Sequence, residues 1–185
     1  MKNAFLIHST GGNPSETFFP WLEKELEKDG FVVTIPQFPT PLGQNVDTWL
    51  NVAKPYLKDF DEDTAIMGRS IGGPMVLRVL EQIDVKIKGA FIVAGFCSDI
   101  KNPLFTPLIA SFVKKPFDWK KIIENCGKFF VYQSDNDPYI PVEKGRELAE
   151  KLGTKMMLVH NAEHFGLSAE YVKFPMLLKD IKSVF

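Results

Sequence analysis

Short apolar runs rich in β-branched and aromatic residues alternate along this chain with longer segments whose apolar positions recur every three or four residues. That alternation predicts βα units around a parallel sheet. Strands are expected at Asn3–Ile7, Phe31–Ile35, Thr64–Met67, Gly89–Val93, Lys128–Tyr132 and Lys155–Val159. Six strands suffice for a doubly wound, mainly parallel sheet with helices on both faces. Between the first two, Phe19, Leu22 and Leu26 line one face of a helix, Glu23, Lys24, Glu27 and Lys28 are left to solvent, and Gly30 ends it. Val46, Trp49, Leu50, Ala53, Leu57 and Phe60 trace a second helical stripe, which Pro55 should kink or split. Met75, Val76, Val79, Leu80 and Ile83 supply the buried face of a third, Leu148, Ala149 and Leu152 mark a fourth, and Phe174, Leu177, Leu178 and Ile181 the last.

Two proline-rich stretches interrupt the alternation. One is Pro36 to Pro41; the other runs from Cys97 to Trp119, with Pro103, Pro107 and Pro116 among several aromatics. In an α/β sheet such connections leave the C-terminal ends of the strands, where ligands bind. Two readings stand for 97–119: a small lid-like insertion over a site, or core-capping by Phe105, Phe112, Phe117 and Trp119.

The sharpest local signal is Gly68-Arg69-Ser70-Ile71-Gly72, placed between an apolar strand and a helical pattern. This is the order a nucleophile elbow requires: a serine at a strained apex, flanked two residues away by glycines that let strand and helix approach. The helix begins directly behind Ser70, so its unpaired N–H groups and positive dipole end face the hydroxyl, and Pro74 is tolerated in the first turn. Short glycine-serine patterns also arise by chance, so the pentapeptide needs partners. A serine hydroxyl needs a base, and the base needs a carboxylate to fix its tautomer. Asp135-Asn136-Asp137-Pro138 follows the fifth expected strand, and Glu163-His164-Phe165 follows the sixth. The chain order serine, aspartate, histidine is that of α/β-hydrolases.

Competitors remain at each position. Asp135 rivals Asp137, which precedes Pro138 in a fixed turn, and His160 rivals His164, which lies in the loop beyond the strand end. His8 reads as a structural hydrogen-bonding residue. Oxyanion donors are expected from the backbone N–H of Ile71 and from the loop His8-Ser9-Thr10-Gly11-Gly12, where Thr10 is the candidate and Ser9 an alternative.

Composition narrows the surroundings. With 185 residues, 45% of them hydrophobic, the chain is expected to be a single domain spanning 1–185. Acidic and basic residues nearly cancel, 23 against 22, which disfavours a nucleic-acid or anionic-membrane partner. No apolar run approaches a secretory or membrane-spanning segment, so a cytoplasmic protein is expected. Cys97 and Cys126 lack metal-ligand spacing and read as buried free thiols. No metal and no cofactor is implied, and the G-x-G-x-x-G and G-x-x-x-x-G-K-[ST] phosphate motifs are missing.

Several segments together resemble a known group: Phe19-Pro20-Trp21-Leu22, Pro36 to Pro41, Trp49, the Gly68–Gly73 elbow, Pro116-Phe117-Asp118-Trp119, Asp135 to Pro138 and Glu163-His164-Phe165. In this order they resemble the small serine hydrolases of the retinoblastoma-binding protein nine and YdeN type, within the α/β-hydrolase superfamily. The resemblance implies the three-layer α/β-hydrolase fold, with Ser70 as nucleophile, Asp137 as triad acid and His164 as base. Arg69 stands where relatives often carry histidine, and His-Ser-Thr stands where many hydrolases have His-Gly. The L-x-C-x-E pattern tied to a tumour-suppressor partner is missing around Cys97 and Cys126, so that partner is not transferred.

The leading expectation is a serine esterase acting on a small acyl substrate, with Phe96, Phe105, Phe112 and Phe165 as pocket candidates. A neutral imidazole base predicts activity rising through roughly pH 6 to 7. The alternatives are a weakly catalytic binding module on the same fold and an amide-cleaving enzyme with the same triad.

Overall fold

The computed structural model describes residues 1–169 and 171–185. Its centre is a sheet of six parallel strands in the order β2-β1-β3-β4-β5-β6. The strands are β1 (Asn3–Ile7), β2 (Val32–Thr34), β3 (Thr64–Arg69), β4 (Gly89–Val93), β5 (Phe129–Ser134) and β6 (Met156–Val159). All six expected runs are strands. The central four read as continuous apolar segments because both of their faces are buried.

Successive side chains enter two separate cores. Phe5, Ile7, Ile66, Ile92 and Val131 pack on one face beneath α2 (Val46–Leu57), α3 (Gly72–Leu80) and α6 (Val142–Lys151). Ala4, Leu6, Met67, Phe91, Val93 and Tyr132 pack on the other, beneath α1 (Phe19–Lys28) and α7 (Pro175–Lys182). The result is the three-layer α/β-hydrolase architecture.

Two local expectations change. Pro55 does not split α2, which runs through it as one helix. The proline sits two residues before the helix end, and the carbonyl it leaves unpaired belongs to exposed Asn51. The stretch 97–119 is also more regular than its prolines suggested. It contains α4 (Thr106–Val113) and leads into α5 (Trp119–Glu124). Pro107 occupies the first turn of α4, where its missing N–H costs nothing, and the Asp118 side chain caps α5 by accepting from the Lys121 N–H at 3.0 Å.

The chain leaves β1 toward β2 on one side and returns through β3 on the other. That reversal of winding direction leaves a crevice at the C-terminal ends of β1 and β3. Among the described residues, no helix is long and apolar enough to cross a membrane.

Candidate active site

The crevice holds a cavity of about 370 Å³. Ser9, Thr10 and Gly11 from the loop after β1, Arg69 and Ser70 from the end of β3, and His164 and Gly166 from the loop after β6 line it. The apolar wall comes from Phe96, Ile100, Phe105, Ile109 and Ile140. Of the four aromatics expected there, Phe96 and Phe105 line the cavity. Phe112 and Phe165 lie fully buried in the two cores instead, the first against Trp49 and the second against Phe174.

Ser70 adopts φ 55°, the left-handed region that a side chain makes costly. The turn is held by the Ser70 N–H donating to the Val93 carbonyl at 2.8 Å and the Gly73 N–H donating to the Ser70 carbonyl at 2.9 Å. Glycine is obligatory on either side. A Cβ on Gly68 would stand 2.1 Å from the Gly72 carbonyl oxygen, and one on Gly72 would stand 2.5 Å from that of Ile7.

His164 and Asp137 are joined by a hydrogen bond of 2.8 Å between Nδ1 and Oδ2. Their side chains are 14% and 1% exposed. The other carboxylate oxygen of Asp137 accepts the N–H groups of Tyr139 at 2.9 Å and Ile140 at 3.1 Å, so the turn through Pro138 fixes the carboxylate. The Tyr139 ring stands edge-on to the imidazole, 5.1 Å between centres. The rival residues form their own pair elsewhere. His160 Nδ1 lies 2.6 Å from Asp135 Oδ2, with side chains 72% and 35% exposed, and neither residue lines the cavity. Ser70 and His164 face the same cavity, and among the described residues no hydrogen bond joins Ser70 Oγ to the imidazole.

In the loop after β1, the N–H of Ser9 donates to Glu16, that of Gly11 to Thr40 Oγ1 and that of Gly12 to the Ser9 carbonyl. The N–H of Thr10 has no acceptor among the described residues, and neither has that of Ile71. His8 lies behind this loop. It accepts the Phe38 N–H at Nε2 (2.9 Å), which leaves Nδ1 to donate to the Ser9 carbonyl at 3.0 Å. Burial lowers its pKa and favours the neutral ring that this pattern requires.

Arg69 and Glu16 escaped sequence reasoning as a pair. The guanidinium is 3.2 Å from the carboxylate, and the two side chains are 6% and 13% exposed. Burial pulls the Arg69 pKa down, and the charges of Glu16 and Asp137 oppose that pull. The signal in the sequence was only an arginine next to the serine. Nothing in the order of residues told that Glu16, 53 positions earlier, would meet it.

Cys97 and Cys126 are both buried, and loss of hydration pushes each thiol up to about 12, which suits packing and not nucleophilic attack. Among the described residues, no three His, Cys, Asp or Glu side chains cluster in a way that could hold a metal ion.

The serine hydrolase family profile matches residues 4–183. This chain belongs to the serine hydrolase family. YdeN of Bacillus subtilis (strain 168), named as a hydrolase, is 27% identical over 186 residues, covering 100% of this chain and 96% of that protein. Serine hydrolase RBBP9 of Rattus norvegicus is 26% identical, covering 98% of this chain and 94% of that protein. The crystal structure of the B. subtilis ydeN gene product superposes with a TM-score of 0.93, covering 100% of this chain and 99% of that one at 27% identity. The monoacylglycerol lipase of Paleococcus ferrophilus superposes at a TM-score of 0.71 and 15% identity over 99% of this chain and 95% of its own, a likeness of fold.

Proposed function

We propose that this serine hydrolase cleaves small carboxylic esters through Ser70, His164 and Asp137. The observation that carries the reading is the 2.8 Å bond from His164 Nδ1 to a nearly inaccessible carboxylate, on a histidine that lines the same cavity as Ser70. With Nδ1–H held by Asp137, Nε2 is left as the acceptor. A base needs that tautomer.

His164 Nε2 takes the Ser70 proton as Oγ bonds to the acyl carbon. The carbonyl electrons move onto oxygen, and the backbone N–H groups of Thr10 and Ile71, which have no acceptor among the described residues, receive that oxyanion. Collapse of the tetrahedral intermediate expels the alkoxide, which takes its proton from the imidazolium. Water then gives a proton to His164 as its oxygen attacks the acyl-enzyme, and collapse releases the acid and returns the proton to Ser70.

Of the two donors considered in the first loop, Thr10 fits better than Ser9, whose N–H is already committed to Glu16. The acyl group faces Phe96, Ile100, Ile109 and Ile140. A cavity of about 370 Å³ lies at the small end of ligand sites, so the substrate is a small molecule. The segment 97–119 supplies Ile100, Phe105 and Ile109 to that wall, which fits a small lid that shapes the acyl site.

Labelling with a fluorophosphonate, followed by mass spectrometry, tests the reading. Stoichiometric modification of Ser70 is expected, abolished in Ser70→Ala and slowed at least about a hundredfold in His164→Ala. Folded protein that does not label at Ser70 overturns it and favours a binding module. Parallel turnover of ester, thioester and peptide substrates then decides the acyl bond, with the ester expected to be fastest.

A further inference from the structure

Arg69 directly precedes Ser70, yet its side chain serves two other segments. Nη1 donates to Ser9 Oγ at 2.9 Å and to Glu16 Oε1 at 3.2 Å. Nε and Nη2 both donate to the main-chain carbonyl of His164, at 3.3 and 2.8 Å. Glu16 completes the assembly by accepting the Ser9 N–H and the Ser9 hydroxyl, each at 3.0 Å. One planar fork therefore spans the loop after β1 and the loop after β6, with Ser70 covalently attached to the residue that carries it.

The loop it holds is one that needs holding. Asn161, Glu163 and Phe165 have φ values of 56°, 44° and 52°, so left-handed residues flank His164 on both sides. Such backbone persists where its surroundings over-determine it. The Glu163 N–H is tied to Asn136 Oδ1 at 2.8 Å, and the carbonyl of His164 is tied to Arg69. A charge pair buried to this degree is also an expensive way to build a wall, because apolar side chains of similar volume fill space without the loss of hydration. What the guanidinium supplies and an apolar side chain cannot is a rigid set of directed donors.

We propose that Arg69 is a positioning residue of the hydrolytic site: its guanidinium, fixed by Glu16, registers the His164 loop and the Ser9–Thr10 loop against Ser70. The proposal rests on His164 being the base and adds what keeps that base in place. It also gives Gly12 a reason. A Cβ there would stand 2.2 Å from Glu16 Oε2, so Gly12→Ala displaces the counter-ion without removing any polar group.

The test uses the full chain with Arg69→Met, Arg69→Lys, Glu16→Gln, Gly12→Ala and His164→Ala. The readouts are kcat and KM for p-nitrophenyl acetate, the thermal midpoint, and the low-field proton resonance of the imidazole Nδ1–H bonded to Asp137. Arg69→Met is expected to lower kcat by about 30- to 100-fold with KM held within about threefold, the signature of a base displaced by around an ångström. Its imidazole resonance should weaken or shift. Arg69→Lys should recover part of kcat, and Gly12→Ala should move kcat and the resonance in the same direction by a smaller factor.

Wild-type kcat and an unchanged resonance in folded Arg69→Met overturn the proposal, as does a rise in KM alone, which would make Arg69 a substrate contact. If Arg69→Met does not fold, Glu16→Gln and Gly12→Ala decide by the same two readouts. Full activity in His164→Ala would instead remove the base assignment on which the proposal rests. An inactive His164→Ala beside a fully active Arg69→Met removes the proposal alone.

Discussion

At the scale of single residues, the turn at Ser70 shows how little room a strand-to-helix elbow leaves. Ser70 at φ 55° aims its side chain into the crevice only because the strand before it and the helix after it nearly touch. The steric cost of any side chain at Gly68 falls on backbone, the 2.1 Å approach to the Gly72 oxygen, and backbone on both sides is held in the sheet and the helix. Gly68→Ala is therefore expected to destabilise by about 3 kcal/mol or more, at the upper end of overpacking costs, and to slow Ser70 labelling in whatever fraction folds. Urea unfolding followed by circular dichroism measures the first, and the fluorophosphonate rate measures the second. A neutral Gly68→Ala would mean that the turn relaxes easily and that the strain at Ser70 is not imposed by its neighbours.

The same scale separates what could be read in the chain from what could not. Asp135 with His160 and Asp137 with His164 are near-equivalent pairs in the sequence, both at strand ends and both in the right order. Folding distinguishes them by burial. One pair lies open to water beside the sheet, and the other closes on a carboxylate that two backbone N–H groups hold.

At the scale of elements, the strands were legible because buried parallel strands are unbroken apolar runs, and the elbow helix because its apolar stripe follows a glycine-rich turn. Helix α4 was not, since Pro107 inside it and Pro103 and Pro116 on either side read as loop signals and its regularity depends on a partner far away in the chain. That partner is Arg78 of α3. It donates through Nε to the Phe112 carbonyl at 2.9 Å and through Nη2 to the Lys115 carbonyl, and its guanidinium lies 3.8 Å over the Phe117 ring. Glu81, three residues on at the C-cap of the same helix, balances its charge at 2.9 Å with both side chains largely buried.

The C-terminal end of α4 is thus capped from outside by a charged side chain, and the segment that supplies Ile109 and Phe105 to the cavity is anchored on the elbow helix itself. Arg78→Met leaves the Glu81 carboxylate with the Asp118 N–H but no counter-charge, and it removes the donor from the carbonyls of Phe112, Lys115 and Pro116. A loss of about 3 kcal/mol is expected, with faster amide hydrogen exchange confined to residues 106–119. Exchange that accelerates across the whole sheet would show Arg78 to be a general core residue and not a local anchor.

At the scale of the whole molecule, the parallel sheet gathers the ends of β1, β3, β5 and β6 into one crevice, and its stability is coupled to groups that must stay uncharged there. His8 is the clearest of these. It is fully buried at the end of β1, receives a backbone N–H at Nε2 and packs edge-on against Phe38 and Trp49 at 5.5 and 5.7 Å. A second proton at Nε2 would turn an accepted hydrogen bond into two opposed donors. Burial accordingly holds its pKa below the 6.5 of a free imidazole.

The sign of the linkage follows. Above about pH 6.5 the ring is neutral in both the folded and the unfolded chain and adds no pH dependence. As the pH falls below that value, the unfolded chain binds a proton at His8 that the native protein refuses, so unfolding becomes more favourable. The stability associated with the neutral ring is lost progressively until the pH passes the depressed native value. In urea titrations stepped from pH 7.5 to 5.5, the wild-type unfolding free energy should decline, and His8→Gln, less stable throughout for want of the imidazole packing, should decline with a smaller slope. Parallel slopes for the two proteins would mean that His8 protonates as readily inside the fold as outside it, and the tautomer that ties the first-strand loop to Phe38 would have to be abandoned.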